Sequence, residues 1–316
     1  MMETLPLSVR PNVAWALVGV FGILVAASLI VWVMKRVRPE RDIGELVARV
    51  KSWWMMVIIF SFAMAISPTV SIIFFAFLSF LALKEFLSLV PTRRADRRVL
   101  FWAYLAIPVQ YYWVGQEWYG MFIIFIPVYI FLLLPTRMIM IGETSGFLRA
   151  VGTLHWGMMT TVFSLSHVAF LLVLPAQNNP AGAGAGLVLY LVFLTQFNDV
   201  MQYTWGKLFG RHKIIPKVSP NKTWEGFAGG VLTTAILATV LGPWLTPLSM
   251  AQASVAGLII GAGGFVGDVI ISALKRDIGV KDSGSLLPGH GGLLDRLDSL
   301  FYTAPLFFHY VYYIHY

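Results

Sequence analysis

AQASVAGLIIGAGGFVGDVIISALKRDIGVKDSGSLLPGHGGLLDRLD, residues 251–298, changes character part-way along. Ala251 to Leu274 is apolar and small, with one carboxylate, Asp268, inside it. Ser272 to Asp298 is the longest polar and charged run in the C-terminal half. A hydrocarbon core of about 30 Å takes roughly 20 apolar residues as a helix. The first part therefore reads as a membrane span and the second as a loop at one membrane face.

The rest of the chain agrees. Of its 316 residues, 58% are hydrophobic and 12% charged, and the mean hydropathy is +0.76. A soluble domain carries about 25% charged residues. The expected fold is an all-α polytopic integral membrane protein. Reading by span length gives ten candidate helices, at about 12–34, 53–67, 69–88, 99–115, 118–135, 151–175, 182–205, 224–245, 251–274 and 299–315. The pair meeting at Ser67-Pro68 also reads as one kinked helix or a re-entrant hairpin. Loop 35–51 reads as an amphipathic surface helix. The residues Met1 to Pro11 are too polar, and the next apolar run too long, for a cleaved signal peptide.

Charge placement orients these spans. Lys and Arg collect in loops 35–51, 89–98, 206–223 and 275–298, and the loops near 68, 116, 176–181 and 246–250 have none. By the positive-inside rule the four basic loops are cytoplasmic and both termini lie outside. The net charge of +8 suits a face against anionic lipid, so membrane lipids are expected partners. No nucleic acid partner is expected, because no soluble basic domain carries such a footprint. With no cysteine, disulfides and thiol catalysis are excluded, and zinc could be held only by His and carboxylates.

The chain divides near residue 180. Residues 1–180 have basic loops but few polar residues within their spans, and their role stays open. Their Trp and Tyr clusters read as interface anchors, and Lys84-Glu85 at a span end reads as snorkelling, with lining a site as the alternative. Residues 181–316 bring polar groups into the membrane. Asp199, Gln202 and Tyr203 share one helical face, and Asp268, Ser272 and Lys275 form another stripe. A carboxylate in a span is costly unless paired or facing a cavity, which makes Asp199 and Asp268 functional candidates. Glycines 261, 263, 264 and 267 let a neighbouring helix approach closely.

In the loop Lys207 to Gly226, a turn signal at Ser219-Pro220-Asn221 precedes a helix start that Thr223 can cap, with Glu225 in the first turn. A basic loop feeding a helix N-terminus is an anion site, although Lys222-Thr223 lacks the glycines of a P-loop. In 272–298, Lys275, Arg276, Lys281 and Arg296 supply phosphate donors, and the glycines around His290 allow close backbone approach. Asp295 and Asp298 fall on one helical face, where they can share a hard divalent cation. Basic residues alone would equally suit a positive-inside loop. The whole constellation describes a nucleotide polyphosphate site.

These residues resemble a family. Ser272-x-Leu274-Lys275-Arg276-x4-Lys281-Asp282-x-Gly284-x2-Leu287-Pro288-x-His290-Gly291-Gly292-x2-Asp295-Arg296-Leu297-Asp298 is similar to the signature of the phosphatidate cytidylyltransferases, or CDP-diacylglycerol synthases. Ser219-Pro220-x-Lys222-Thr223-x-Glu225-Gly226 resembles their other cytoplasmic motif, and Asp199 to Gly206 the span before it. In that span Gln202 stands where the family usually has Ala. The resemblance covers about 185–300 and marks a longer bacterial relative.

It implies that CTP and phosphatidate give CDP-diacylglycerol and pyrophosphate, in 181–316, on the cytoplasmic side of a bacterial inner membrane. It implies Mg2+, one ion or two, on Asp268, Asp295, Asp199 and Asp298. Lys275, Arg276, Asp295 and Asp298 would be catalytic. Ser219, Lys222, Thr223, Ser272, Lys281, His290, Gly291, Gly292 and Arg296 would bind phosphate or shape its loop. A homodimer is the family expectation. The alternatives are a CTP-dependent enzyme on another lipid (a cytidylyltransferase or a kinase) and an ion-coupled transporter. The polar groups collect at one face and no inverted repeat is visible, which speaks against transport.

Overall fold

The structure, a computed structural model, describes residues 10–37, 40, 43–93, 96–284 and 291–316. Among them every regular element is helical. The helices are α1 (Pro11–Val37), α2 (Gly44–Ile66), α3 (Pro68–Leu89), α4 (Arg97–Gly115), α5 (Tyr119–Ile139), α6 (Phe147–Val173), α7 (Ala183–Phe209), α8 (Trp224–Leu245), α9 (Met250–Asp277), the short α10 (Leu294–Leu297) and α11 (Leu300–His315). Six-residue and five-residue π-helical turns interrupt α5 at Phe125–Ile130 and α6 at Met159–Phe163.

Eight of these helices are long and apolar enough to cross a membrane. The two others expected as spans occur as helices. One of them, α4, opens on Arg97-Arg98 and buries Gln110, and the other, α11, has 16 residues. The count of ten spans is thus eight by length and apolarity among the described residues. Residues 44–51 are not a separate surface helix either. They are the first turns of α2, which runs unbroken to Ile66. At Ser67-Pro68 the chain ends one helix and starts the next, because Pro fits the first turn and the Ser67 side chain accepts from the Val70 N–H.

Local sequence sets the starts of the helices that carry the site. Thr223 caps α8, its side chain accepting from Gly226 N–H at 3.2 Å. Ser249 and Gln252 form a reciprocal capping box at the start of α9. Helices α7, α8 and α9 then pack through small residues. A Cβ at Gly257 of α9 would sit 2.6 Å from the Cα of Ala235 and the Cβ of Ala238 on α8. Apolar attraction is weak between helices in lipid, so such close backbone approach is what holds them.

The two halves of the chain share one core. Helix α6 packs on α3, α4, α7 and α11, and the Phe86 ring of α3 lies where a Cβ at Gly157 of α6 would be. Helix α1 stands at the edge and exposes most of its apolar surface.

Overpacking the α8–α9 seam should therefore destabilise the bundle. Gly257→Val should lower the thermal unfolding midpoint in detergent, at a cost of about 1–3 kcal/mol. Gly22→Val on α1, where a Cβ meets nothing within 4 Å, should leave it unchanged.

Candidate active site

The α7–α8–α9 packing brings polar residues from separate stretches to one end of the bundle. A cavity of about 540 Å³ lies there, lined by Asp199, Gln202 and Tyr203 of α7, Lys213, Ser219, Lys222 and Thr223 of the following loop, and Asp268 of α9. Thr223 and Gly226 open α8 at its wall, so the positive end of that helix faces the space. An antiparallel bridge between Lys213 and Thr223 closes the loop on itself. The Glu225 carboxylate accepts from the Arg211 and His212 N–H groups at 3.0 and 3.2 Å and holds the loop's first turn to α8.

Lys222 is the hub of this cavity. Its ammonium lies 2.5 Å from Asp268 Oδ2 and 3.3 Å from Gln202 Oε1. Burial pulls that ammonium's pKa down, and the Asp268 carboxylate more than offsets it, so the pKa lies above its ordinary value. Gln202 is buried, and its amide also donates to the Gly261 carbonyl at 3.4 Å. Gly230 makes this possible, because a Cβ there would overlap the Gln202 side chain. Ser272 donates to the other Asp268 oxygen at 3.3 Å.

Around Asp268 the carboxylates gather. Burial raises the Asp298 carboxyl well above its ordinary range, and the charges of Asp268 and Asp199 add to the effect. The Ser299 hydroxyl lies 3.0 Å from Asp199 Oδ1, and its N–H donates to Asp298 Oδ1 at 2.7 Å. Arg296 offsets part of this negative charge, yet its Nε is buried without a hydrogen-bond partner among the described residues. Among those residues no three His, Asp or Glu side chains stand in a closed metal-ligand set.

Asp295 stands in a different environment. Lys275 Nζ donates to its Oδ1 at 2.6 Å, while Oδ2 accepts from Ser283 N–H at 2.8 Å and Gly292 N–H at 3.1 Å and lies 2.9 Å from Ser283 Oγ. Burial pushes this carboxyl up, but the Lys275 hydrogen bond and the N–H groups outweigh it and hold the pKa below the ordinary value. Gly291 has φ of +77°, and a Cβ there would sit 2.7 Å from Asp295 Oδ2, so glycine serves both the backbone and the space.

The remaining expected residues are more peripheral. Arg276 reaches the Val218 carbonyl at 3.4 Å and ties the end of α9 to the 206–223 loop. Lys281 is exposed. His290, with residues 285–290, lies outside the described residues.

The expectation of snorkelling is corrected for Glu85. Its carboxylate turns into the protein and accepts from Leu293 N–H at 2.8 Å, Leu294 N–H at 3.0 Å and Ser283 Oγ at 2.5 Å. The only sequence signal was a carboxylate at a span end. Its partners are mostly backbone groups, which leave no motif. Ser283 and Ser299 were missed for a similar reason, since single serines in a polar stretch carry no distinguishing pattern.

Comparison with known proteins places the chain in a family. The chain belongs to the Cytidylyltransferase family, whose sequence pattern matches residues 47–314. It is a nucleotidyltransferase by family and, by its apolar helices, an integral membrane protein. "Uncharacterized protein YnbB" of Escherichia coli (strain K12) is 49% identical over 298 residues, 94% of this chain and 98% of that protein. The phosphatidate cytidylyltransferase of Mycobacterium leprae (strain TN) is 44% identical over 128 residues, 38% of this chain and 39% of its own length. That of Haemophilus influenzae (strain ATCC 51907 / DSM 11121 / KW20 / Rd) is 39% identical over 136 residues, 42% of this chain and 47% of its own. The chain thus spans less than half the length of these two named cytidylyltransferases.

Removing the Asp295 carboxylate should strand a buried ammonium and two N–H groups. Asp295→Ala should destabilise the fold by about 3–5 kcal/mol, the usual effect of breaking a buried pair. In hydrogen-exchange mass spectrometry the peptides covering Ser283 and Gly292 should lose protection first.

Proposed function

We propose that this protein transfers CMP from CTP to phosphatidate, giving CDP-diacylglycerol and pyrophosphate, on the cytoplasmic side of a bacterial inner membrane. The observation that carries the proposal is the cavity in which Lys222 and Thr223 meet Asp199 and Asp268. It is a place where a polyphosphate would find cations, a helix N-terminus and an acidic group together. The long polar stretch after α9 and the phosphatidate cytidylyltransferase relatives support the same reading.

In this reaction an oxygen of the phosphatidate phosphate forms a bond to the α-phosphorus of CTP. The bond from that phosphorus to the β-bridging oxygen breaks, and pyrophosphate leaves with the electron pair. A phosphate monoester is already anionic near pH 7, so no general base is needed. The protein's task is to position two anions and offset their charge. Lys222, Lys275, Arg276, Lys281 and Arg296 bind phosphate oxygens. The orphaned Arg296 Nε is a donor ready for one of them. Ser219, Thr223 and Ser272 line or support the same end of the bundle. His290, Gly291 and Gly292 shape the following loop, and the acyl chains stay in the bilayer.

Asp199, Asp268 and Asp298 are the carboxylates that would hold magnesium, although among the described residues they do not already stand as a three-ligand set. Asp199, Asp268 and Asp298 offer hard oxygen donors, and their charges act on one another. Mg2+, as one ion or two, would neutralise the triphosphate and the departing pyrophosphate when bound. Asp295 is assigned here to hold Lys275 rather than to reach a metal, because hydrogen bonds already engage both of its oxygens.

Purified protein in mixed micelles with labelled CTP, Mg2+ and phosphatidate tests the proposal. Wild type should release pyrophosphate and form a CMP-bearing lipid. Asp298→Asn and Lys222→Ala should lower the rate by about 100-fold or more, the order expected for lost electrostatic stabilisation. CDP with a phosphorylated lipid would mean γ-phosphoryl transfer and overturn it. Mg2+-dependent CTP binding without turnover would move the acceptor to another lipid phosphate.

A further inference from the structure

Glu85 has no place in the chemistry proposed above, yet it is bonded to the segment that carries Asp295. It belongs to α3, in the half of the chain whose role the sequence leaves open, and its partners lie about two hundred residues away in sequence. Leu293 and Leu294 stand at the start of α10, where N–H groups lack partners within the helix. Glu85 supplies a carboxylate to both, as an N-cap from another part of the chain would. The site is built closely around it. A Cβ at Gly292 would overlap both Glu85 Oε1 and Ser283 Oγ. The neighbouring Phe86 is fully buried against Gly157 and the Trp156 ring, which fixes where α3 can present Glu85.

A chain of contacts then leads to the cation. The Ser283 hydroxyl donates to Glu85, the Ser283 N–H donates to Asp295, and Asp295 accepts from Lys275 Nζ. Residues on both sides of 285–290 converge on the two carboxylates. Lys275 lies two turns along α9 from Asp268, so its ammonium must be aimed along the helix for both residues to serve one substrate.

We propose that Glu85 is a positioning residue, by which the N-terminal half of the chain locks Ser283 and the start of α10 and so aims Asp295 and the Lys275 ammonium. The catalytic consequence rests on the cytidylyl-transfer reading, while the lock itself does not. A long side chain with rotamer freedom gains most from such a lock, because misplacing a reactive group by about 1 Å costs roughly 100-fold in rate.

The test uses the full chain in mixed micelles, as wild type, Glu85→Gln, Glu85→Ala, Ser283→Ala and the adjacent Lys84→Ala. Hydrogen-exchange mass spectrometry on the peptides covering Ser283 and Gly292 to Leu294 reads the lock. Steady-state kinetics with CTP and phosphatidate read its use, per mole of folded protein. Glu85→Ala should open exchange in those peptides and lower kcat by roughly 10- to 100-fold, while the KM for phosphatidate moves less than about threefold. Glu85→Gln keeps one acceptor oxygen and should fall between wild type and Glu85→Ala. Ser283→Ala should follow Glu85→Ala, and Lys84→Ala should match wild type. Unchanged exchange in Glu85→Ala overturns the lock. Opened exchange with unchanged kcat overturns the positioning role and leaves Glu85 as a cap alone. If wild type transfers nothing, the reaction assignment fails, and the exchange arm still decides the lock.

Discussion

A charge inside an apolar bundle survives only where another charge or a cavity meets it, and the Lys222–Asp268 pair is where this protein satisfies that constraint. The pair joins the start of α8 to the last third of α9. It therefore requires those helices to lie close, and small residues such as Gly257 and Ala235 let them. It also fixes the 206–223 loop over the end of α7, where Asp199 and Gln202 line the same space. Helix packing in the membrane and assembly of the site are thus one physical arrangement. A helix shift that broke the packing would expose an unpaired carboxylate.

A second buried pair, Lys275–Asp295, organises the end of α9, two turns beyond Asp268. Here the carboxylate is held mostly by N–H groups of a loop, and the loop is held in turn by Glu85 from α3. The cations of the two pairs are kept apart by separate carboxylates. The charges of Asp199 and Asp268 act on Asp298, whose buried carboxyl is raised above its ordinary range.

The departure at Gln202 has a local structural reason. A methyl group there could not accept from Lys222 or reach the Gly261 carbonyl, whereas the amide does both. Gly230 provides the space that the longer side chain needs. A substitution that breaks the usual motif is in this way matched by a gap on the facing helix.

Much of the molecule was legible from composition and spacing. Span-length apolar runs place the helices, since a bilayer leaves few other ways to satisfy a backbone. The Thr223 cap, the Ser67-Pro68 break and the close approach of the α9 glycines all follow from local chemistry and stand in the structure. The polar residues of 199–203, 219–226 and 268–298 stood out because charged and polar groups are costly in so apolar a chain. The count of spans was less secure, because α4 and α11 depend on their neighbours more than on their own apolarity. Which carboxylate meets which cation was not legible at all. The sequence stripe placed Lys275 beside Asp268, but Lys275 pairs with Asp295 and Asp268 with Lys222. Nor was Glu85 legible as the cap of a distant helix. Residue types and helical periods are local properties and can be read along the chain. Pairing between charges depends on which helix ends meet in space, and only the packed bundle decides that.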